Sequence, residues 1–206
     1  MEEKGRTFSA RLARWTAELV LVFIGVSAAF WLNNYQQHQQ EAKRRDQILA
    51  SLEEQLNEGI ESAKSEGLKQ DKQVAEFRRA LDAGEMPPIR MFAFTSDYSP
   101  SDIATLLQSG GIELLDVKTL TSLRQRESVI RGGLTRMGHY EKLSDQLIAP
   151  NLDQDISFFY DPATKHLRKK FEKYPDALQA AADFLHEMEK AETALLKQIQ
   201  AERGRR

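Results

Sequence analysis

The chain has 206 residues, 41% of them apolar and 29% charged, with a formal charge of −2. That balance offers no electrostatic argument for nucleic-acid binding. The chain contains no cysteine, which excludes a disulfide framework, thiolate catalysis and a cysteine-based zinc site.

Residues 1–14 form a basic lead with Lys4, Arg6, Arg11 and Arg14, mildly amphipathic through Phe8 and Leu12. Its arginines are expected to snorkel towards lipid headgroups and to set topology. Residues 15–35 read WTAELVLVFIGVSAAFWLNNY. From Leu19 to Leu32 there is no charge. Trp15 stands at one end, Trp31 and Tyr35 at the other, where aromatic rings suit the headgroup level of a bilayer. A span needs roughly 20 residues, so this stretch reads as one transmembrane helix.

Two rival readings compete with the span. A basic start, an apolar middle and Ser27-Ala28-Ala29 resemble a cleavable signal peptide. Glu18 and the bulky Phe30-Trp31 argue against that. A buried core helix is the other reading, but such a helix rarely leads into a long polar segment. Arg11 and Arg14 lie closer to the span than Lys43, Arg44 and Arg45. The positive-inside rule then predicts a cytoplasmic N-terminus and an extracytoplasmic body in a bacterial inner membrane.

Within the span, Glu18, Val22, Gly25, Ala29 and Leu32 share one helical face. Gly25 and Ala29 make a small-xxx-small pair, which lets two helices approach closely in lipid. Glu18, Gly25 and Ala29 are therefore candidates for a helix–helix contact, with another membrane protein or a second copy. A carboxylate that snorkels or pairs with Arg11 or Arg14 is the competing role for Glu18.

Residues 36–47 are polar on every face and read as a helical stalk. Apolar periodicity then begins at Ile48 and continues through Leu52, Leu56, Ile60 and Ala63, resuming at Val74, Phe77 and Leu81. One helix from Trp15 to Ala83 would approach about 100 Å, so a break near Gly59 or Gly67 is expected. Gly84-Glu85-Met86-Pro87-Pro88 ends the helix. Met91-Phe92-Ala93-Phe94 is a short apolar patch. Ser99-Pro100-Ser101-Asp102 is a capping signal for a short helix ending near Ser109, before Gly110-Gly111.

Asp116 is expected to cap a helix from Val117 to about Ala149, with an apolar face of Leu120, Leu123, Ile130, Leu134, Met137, Leu147 and Ile148. Gly132-Gly133 inside it predicts a kink or a close backbone approach. His139 reads as a surface or packing residue. Ile156-Ser157-Phe158-Phe159-Tyr160 is the densest aromatic cluster, either core or the wall of a binding groove. Asp161-Pro162 predicts a short basic helix carrying Leu167 and Phe171. Pro175-Asp176 starts a last helix with Leu178, Ala182, Leu185, Met188, Leu195 and Ile199 on one face.

Glu18, Gly25-Val26, Ala28-Ala29 and Asn33-Asn34-Tyr35, followed by a Gln-rich helix, resemble the start of a bacterial family of single-pass membrane proteins. Ser101-Asp102 and the stretch Leu106 to Leu115 are similar to that family's short helix ending in Ser-Gly before an apolar turn. The chain departs from the family at Gly111, where Asn is usual. The resemblance implies an inner-membrane anchor and an extracytoplasmic helical body, and it brings no activity and no site residues.

His186-Glu187-Met188-Glu189-Lys190 lacks the second histidine of the helical zinc motif. No phosphate loop or nucleophile pattern is present, so neither an enzyme nor a cofactor is expected. The expected fold is all-α: a basic lead (1–14), a transmembrane helix (15–35), a polar stalk (36–47), a helical extracytoplasmic bundle (48–202) and a basic tail (203–206). The expected function is a membrane-anchored scaffold or accessory subunit. The alternative is a tethered helical domain that senses a small molecule, with Phe158–Tyr160 or Gly132-Gly133 lining its pocket.

Overall fold

The computed structural model describes residues 3–92 and 111–205, with side chains described at Trp15 and from Glu18 onward. Among them are three α-helices: α1 (Glu3–Asp82), α2 (Val117–Leu147) and α3 (Tyr174–Arg203). No strand is found among the described residues, only an isolated antiparallel bridge between Tyr160 and Leu167. The chain divides into two units, Met1–Gln47 and Ile48–Arg206.

In the first unit the apolar stretch 15–35 and the polar stretch 36–47 are both helical, as their patterns predict. The polar stretch is laced by local pairs one helical turn apart. Gln39 donates to the Tyr35 hydroxyl and Gln37 to Glu41. Pairs at this spacing support a helix that has no buried stripe.

The second unit is a three-helix bundle with three apolar layers. The first joins Ile48, Leu49, Leu52 and Leu56 of α1 to Leu115, Leu123, Leu195 and Ile199. The middle layer holds Ala63, Phe92, Ile130, Met137, Ala181, Phe184 and Met188. The third holds Phe77, Ile89, Ile148, Phe159, Tyr160 and Phe171. Residue numbers rise through the layers along α1 and α2 and fall along α3. Thus α1 and α2 run parallel, and α3 runs antiparallel to both.

Parallel neighbours need a long return. At 1.5 Å per residue, Ile48 to Phe77 covers roughly 44 Å, and the connection after α1 must retrace it. It begins at Gly84, whose φ of +71° suits glycine. There Glu85 N–H reaches Ala80 C=O at 2.9 Å and Gly84 N–H reaches Leu81 C=O at 3.0 Å, the two bonds of a Schellman stop. Ile89 still lies in the third layer, whereas Phe92 has reached the middle one, with its N–H on Ser144 Oγ at 2.7 Å. The rest of the return, including Ala93-Phe94, the Ser99–Asp102 capping signal and the helix to Ser109, lies outside the described residues.

Two expectations need correction, and a third is decided between its two alternatives. The helix does not break at Gly59 or Gly67, because α1 is continuous to Asp82. These glycines are packing positions: a Cβ at Gly59 would sit 2.6 Å from the Glu192 carboxylate, and one at Gly67 would sit 3.3 Å from the His186 ring. Gly132-Gly133 does not interrupt α2 as a kink. It is the close approach instead, because the Phe184 ring fills the space beside Gly133. Finally, Asp161-Pro162 does not begin a helix. The Asp161 carboxylate accepts the N–H groups of Ala163 and Thr164, both at 2.9 Å, and fixes a turn. The chain returns through the Tyr160–Leu167 bridge to one 3-10 turn, Lys169–Phe171.

Candidate functional site

From Leu19 to Leu32 every residue of α1 is exposed within its unit. Phe23 is 70% exposed and Phe30 71%. A side chain such as Phe or Leu contributes roughly 1.5–3 kcal/mol when fully removed from water, so ten of them left outside a core form a surface that water opposes. The helix is long and apolar enough to cross a membrane. Trp15 is exposed at the leading edge, while Trp31 and Tyr35 stack with their rings 5.9 Å apart at the trailing edge. The helical backbone sets Glu18, Gly25 and Ala29 on one face. Nothing lies within 4 Å of a Cβ built on Gly25, so the backbone is open at that residue. Trp31 and Tyr35 belong to other faces, as their spacing requires. Of the basic lead, Arg11, Arg14, Phe8 and Leu12 have side chains outside the described residues.

The polar chemistry of the second unit is buried. Glu192 of α3 is completely buried, and Arg126 of α2 is 9% exposed. Arg126 directs Nη2, at 2.7 Å, and Nε, at 3.2 Å, to a single oxygen, Glu192 Oε1. The other oxygen, Oε2, has no hydrogen-bond partner and lies beside Gly59 of α1. Burial pushes the Glu192 carboxyl up to about 7 and pulls the Arg126 guanidinium down to about 10, since loss of water penalises each charge. A side chain longer than a hydrogen at residue 59 would collide with this pair, so the pair and Gly59 define how closely α1 approaches the other helices.

Glu202 is a second buried carboxylate, 1% exposed. It accepts the Asp116 N–H at 3.1 Å and the Thr119 hydroxyl. Asp116 stands at the N-cap of α2, but its side chain makes no capping bond there. Its carboxylate meets Arg205 at 3.0 Å. The first turn of α2 is thus capped from α3, which brings negative charge to the positive end of a helix dipole.

Sequence reasoning missed Arg126, Glu192 and Glu202 as buried groups, although their spacing carried the signal. Arg126 sits between Leu123 and Ile130, Glu192 between Met188 and Leu195, and Glu202 one turn after Ile199, all in the apolar register.

The aromatic segment packs as core. Phe159 and Tyr160 are buried and Phe158 half-buried. The Phe159 and Phe171 rings lie 4.9 Å apart. The Tyr160 hydroxyl donates to Pro87 C=O, and burial raises its pKa above the ordinary tyrosine value. Among the described residues no group of three His, Cys, Asp or Glu side chains is placed to hold a metal ion. His186 meets Asp71 at 2.8 Å and joins α3 to α1. A shallow depression on α2 is lined by Glu127, Arg131, Leu134 and Thr135. Part of the stretch Leu106 to Leu115 that carries the family resemblance lies outside the described residues; within it, Ile112–Leu114 form a 3-10 turn.

No protein-family model matches the chain, and neither a curated protein nor a solved structure matches it.

Proposed function

We propose that the chain is a single-pass membrane protein that anchors a helical bundle outside the cytoplasm of a bacterial cell. The bundle acts as a scaffold or accessory subunit rather than an enzyme. One observation carries this reading: an unbroken exposed apolar surface from Leu19 to Leu32, collared by Trp15 before it and by stacked Trp31 and Tyr35 after it. A bilayer covers such a surface without requiring a protein core, and the rings take the headgroup level. Arg11 and Arg14, close before the span, place the N-terminus inside. The polar helix after it carries the chain clear of the headgroups. The Glu18, Gly25 and Ala29 face is the contact for a neighbouring membrane helix, because a bare backbone at Gly25 allows close approach.

The test is crosslinking in intact membranes, followed by extraction in mild detergent and mass spectrometry. A stoichiometric membrane partner, or a second copy, is expected, and Gly25→Leu or Glu18→Ala should release it. A chain that leaves the membrane in alkaline carbonate would refute the anchor. A chain that is crosslinked identically after Gly25→Leu would refute the contact face.

A further inference from the structure

The segment from Phe158 to Lys173, at the end of the bundle remote from Ile48, concentrates positive charge. Lys165, Arg168, Lys169, Lys170 and Lys173 all lie exposed within nine residues, against the one acid Glu172. The whole chain carries −2. Elsewhere in the bundle several surface cations are paired: Lys69 with Glu66, Arg131 with Glu127, Arg136 with Glu187, Arg203 with Glu53. Here Lys165, Lys169, Lys170 and Lys173 have no salt bridge among the described residues. Asp155 and Asp161 on the preceding turn accept backbone N–H groups, and Asp153 is exposed.

The cations are held on a fixed frame. Lys165 occupies a positive φ of 58°, a conformation that non-glycine residues rarely adopt and that collects at functional turns. Asp161 clasps the turn, and Arg168 Nε is fastened to Tyr160 C=O at 2.8 Å. The Arg168 guanidinium lies 5.6 Å from the Phe158 ring centre, and Lys170 Nζ lies 5.3 Å from Phe158 and 5.0 Å from Phe171. Leu152 is exposed in the same inter-helix segment. Cations over the half-buried Phe158 and the buried Phe171, spread along a turn rather than around a pocket, match an extended anionic surface.

We propose that this basic turn docks on anionic lipid headgroups, as a second membrane contact besides the α1 span. Because the turn is already ordered, little freedom is lost on docking. A Lys or Arg near an anionic leaflet contributes about 1 kcal/mol, roughly fivefold in partitioning, so neutralising three should weaken docking about a hundredfold.

The test places the full chain in nanodiscs of neutral phosphatidylcholine, so that the apolar helix is already occupied. Capture is then measured by flotation with separate vesicles of phosphatidylcholine, with or without phosphatidylglycerol. The expected result is capture by the anionic vesicles alone, lost about a hundredfold in K169Q/K170Q/K173Q. K64Q/K118Q/K142Q, three exposed lysines elsewhere, should leave it within about twofold. Should the first triple variant not fold, its three single variants decide, each expected to lower capture about fivefold. Equal capture by neutral vesicles, an unaffected triple variant, or binding to heparin without binding to the anionic vesicles would overturn the proposal. Failure of the chain to enter nanodiscs would speak against the anchor instead, and flotation of the free chain would still test the turn.

Discussion

Adjacent glycines in α2 should respond in opposite directions to the same substitution. Gly132 is exposed, and nothing lies within 4 Å of a Cβ placed on it. Gly132→Ala then contributes only helix propensity, and stability should rise by about 1 kcal/mol. At Gly133 the new Cβ would fall 1.8 Å from Phe184 Cε2 and 2.0 Å from Cδ2. Phe184 is completely buried in the middle layer and, in a close-packed interior, can turn away only by displacing its neighbours. Overpacking of this kind costs about 1–3 kcal/mol, and the upper end applies because the ring cannot retreat freely. After the propensity gain, Gly133→Ala should still lose about 1–2 kcal/mol, separating the two variants by about 2–3 kcal/mol. Urea unfolding of the full chain in mild detergent, followed by circular dichroism, reads the difference. Gly133→Ala combined with Phe184→Leu should recover at least about 1 kcal/mol relative to additivity. Equal stabilisation by both alanines, or no coupling to residue 184, would refute the packing of α3 against α2 described here.

Three further predictions concern the bundle. Above its ordinary value of 4.5 an unfolded Glu192 carboxyl has lost its proton, whereas the folded one keeps it to about 7. Stability should therefore fall as pH rises from about 5 to about 7.5. Glu192→Gln should flatten that slope in urea titrations, and stability that rises through this window would contradict it. Glu202→Ala leaves the Asp116 N–H and the Thr119 hydroxyl without the carboxylate that holds them, and should cost about 2–3 kcal/mol by the same assay; a loss below about 0.5 kcal/mol would refute the capping role. Leu52→Ala, at a completely buried position in the first layer, should cost about 2–5 kcal/mol, and a smaller loss would mean that this layer is not packed.

The elements were legible in the sequence where local chemistry decides them. The Gly84 to Pro88 stop, the start at Pro175 and the apolar run from Leu19 to Leu32 all depend on neighbours in the chain, and the structure places helix ends and exposed surface accordingly. What failed depends on partners distant in sequence. Gly59 reads as a helix breaker until Glu192, on another helix, is seen to need its missing Cβ. The basic Asp161–Phe171 segment reads as a helix until Asp161 is found holding the backbone of its own turn. The parallel course of α1 and α2 rests on a long return that no hydrophobic period reveals. The buried Arg126 and Glu192 were visible in register, since each fills an apolar position, but charge at such a position announces burial only when its opposite is found across the bundle. The proposed contact face of Glu18, Gly25 and Ala29 rests on a helical pattern in the sequence, and nothing lies within 4 Å of a Cβ placed on Gly25.

The absence of native cysteine makes single introduced thiols a direct probe of the anchor. Lys142→Cys places one on the exposed surface of α2, and Ser9→Cys places one before the span. Cells with a permeabilised outer membrane are treated with a membrane-impermeant maleimide, before and after lysis of the inner membrane. The account requires Cys at 142 to be labelled in intact spheroplasts and Cys at 9 only after lysis. Labelling of Cys at 9 first, or of both only after lysis, would contradict an extracytoplasmic bundle held by an N-terminal span.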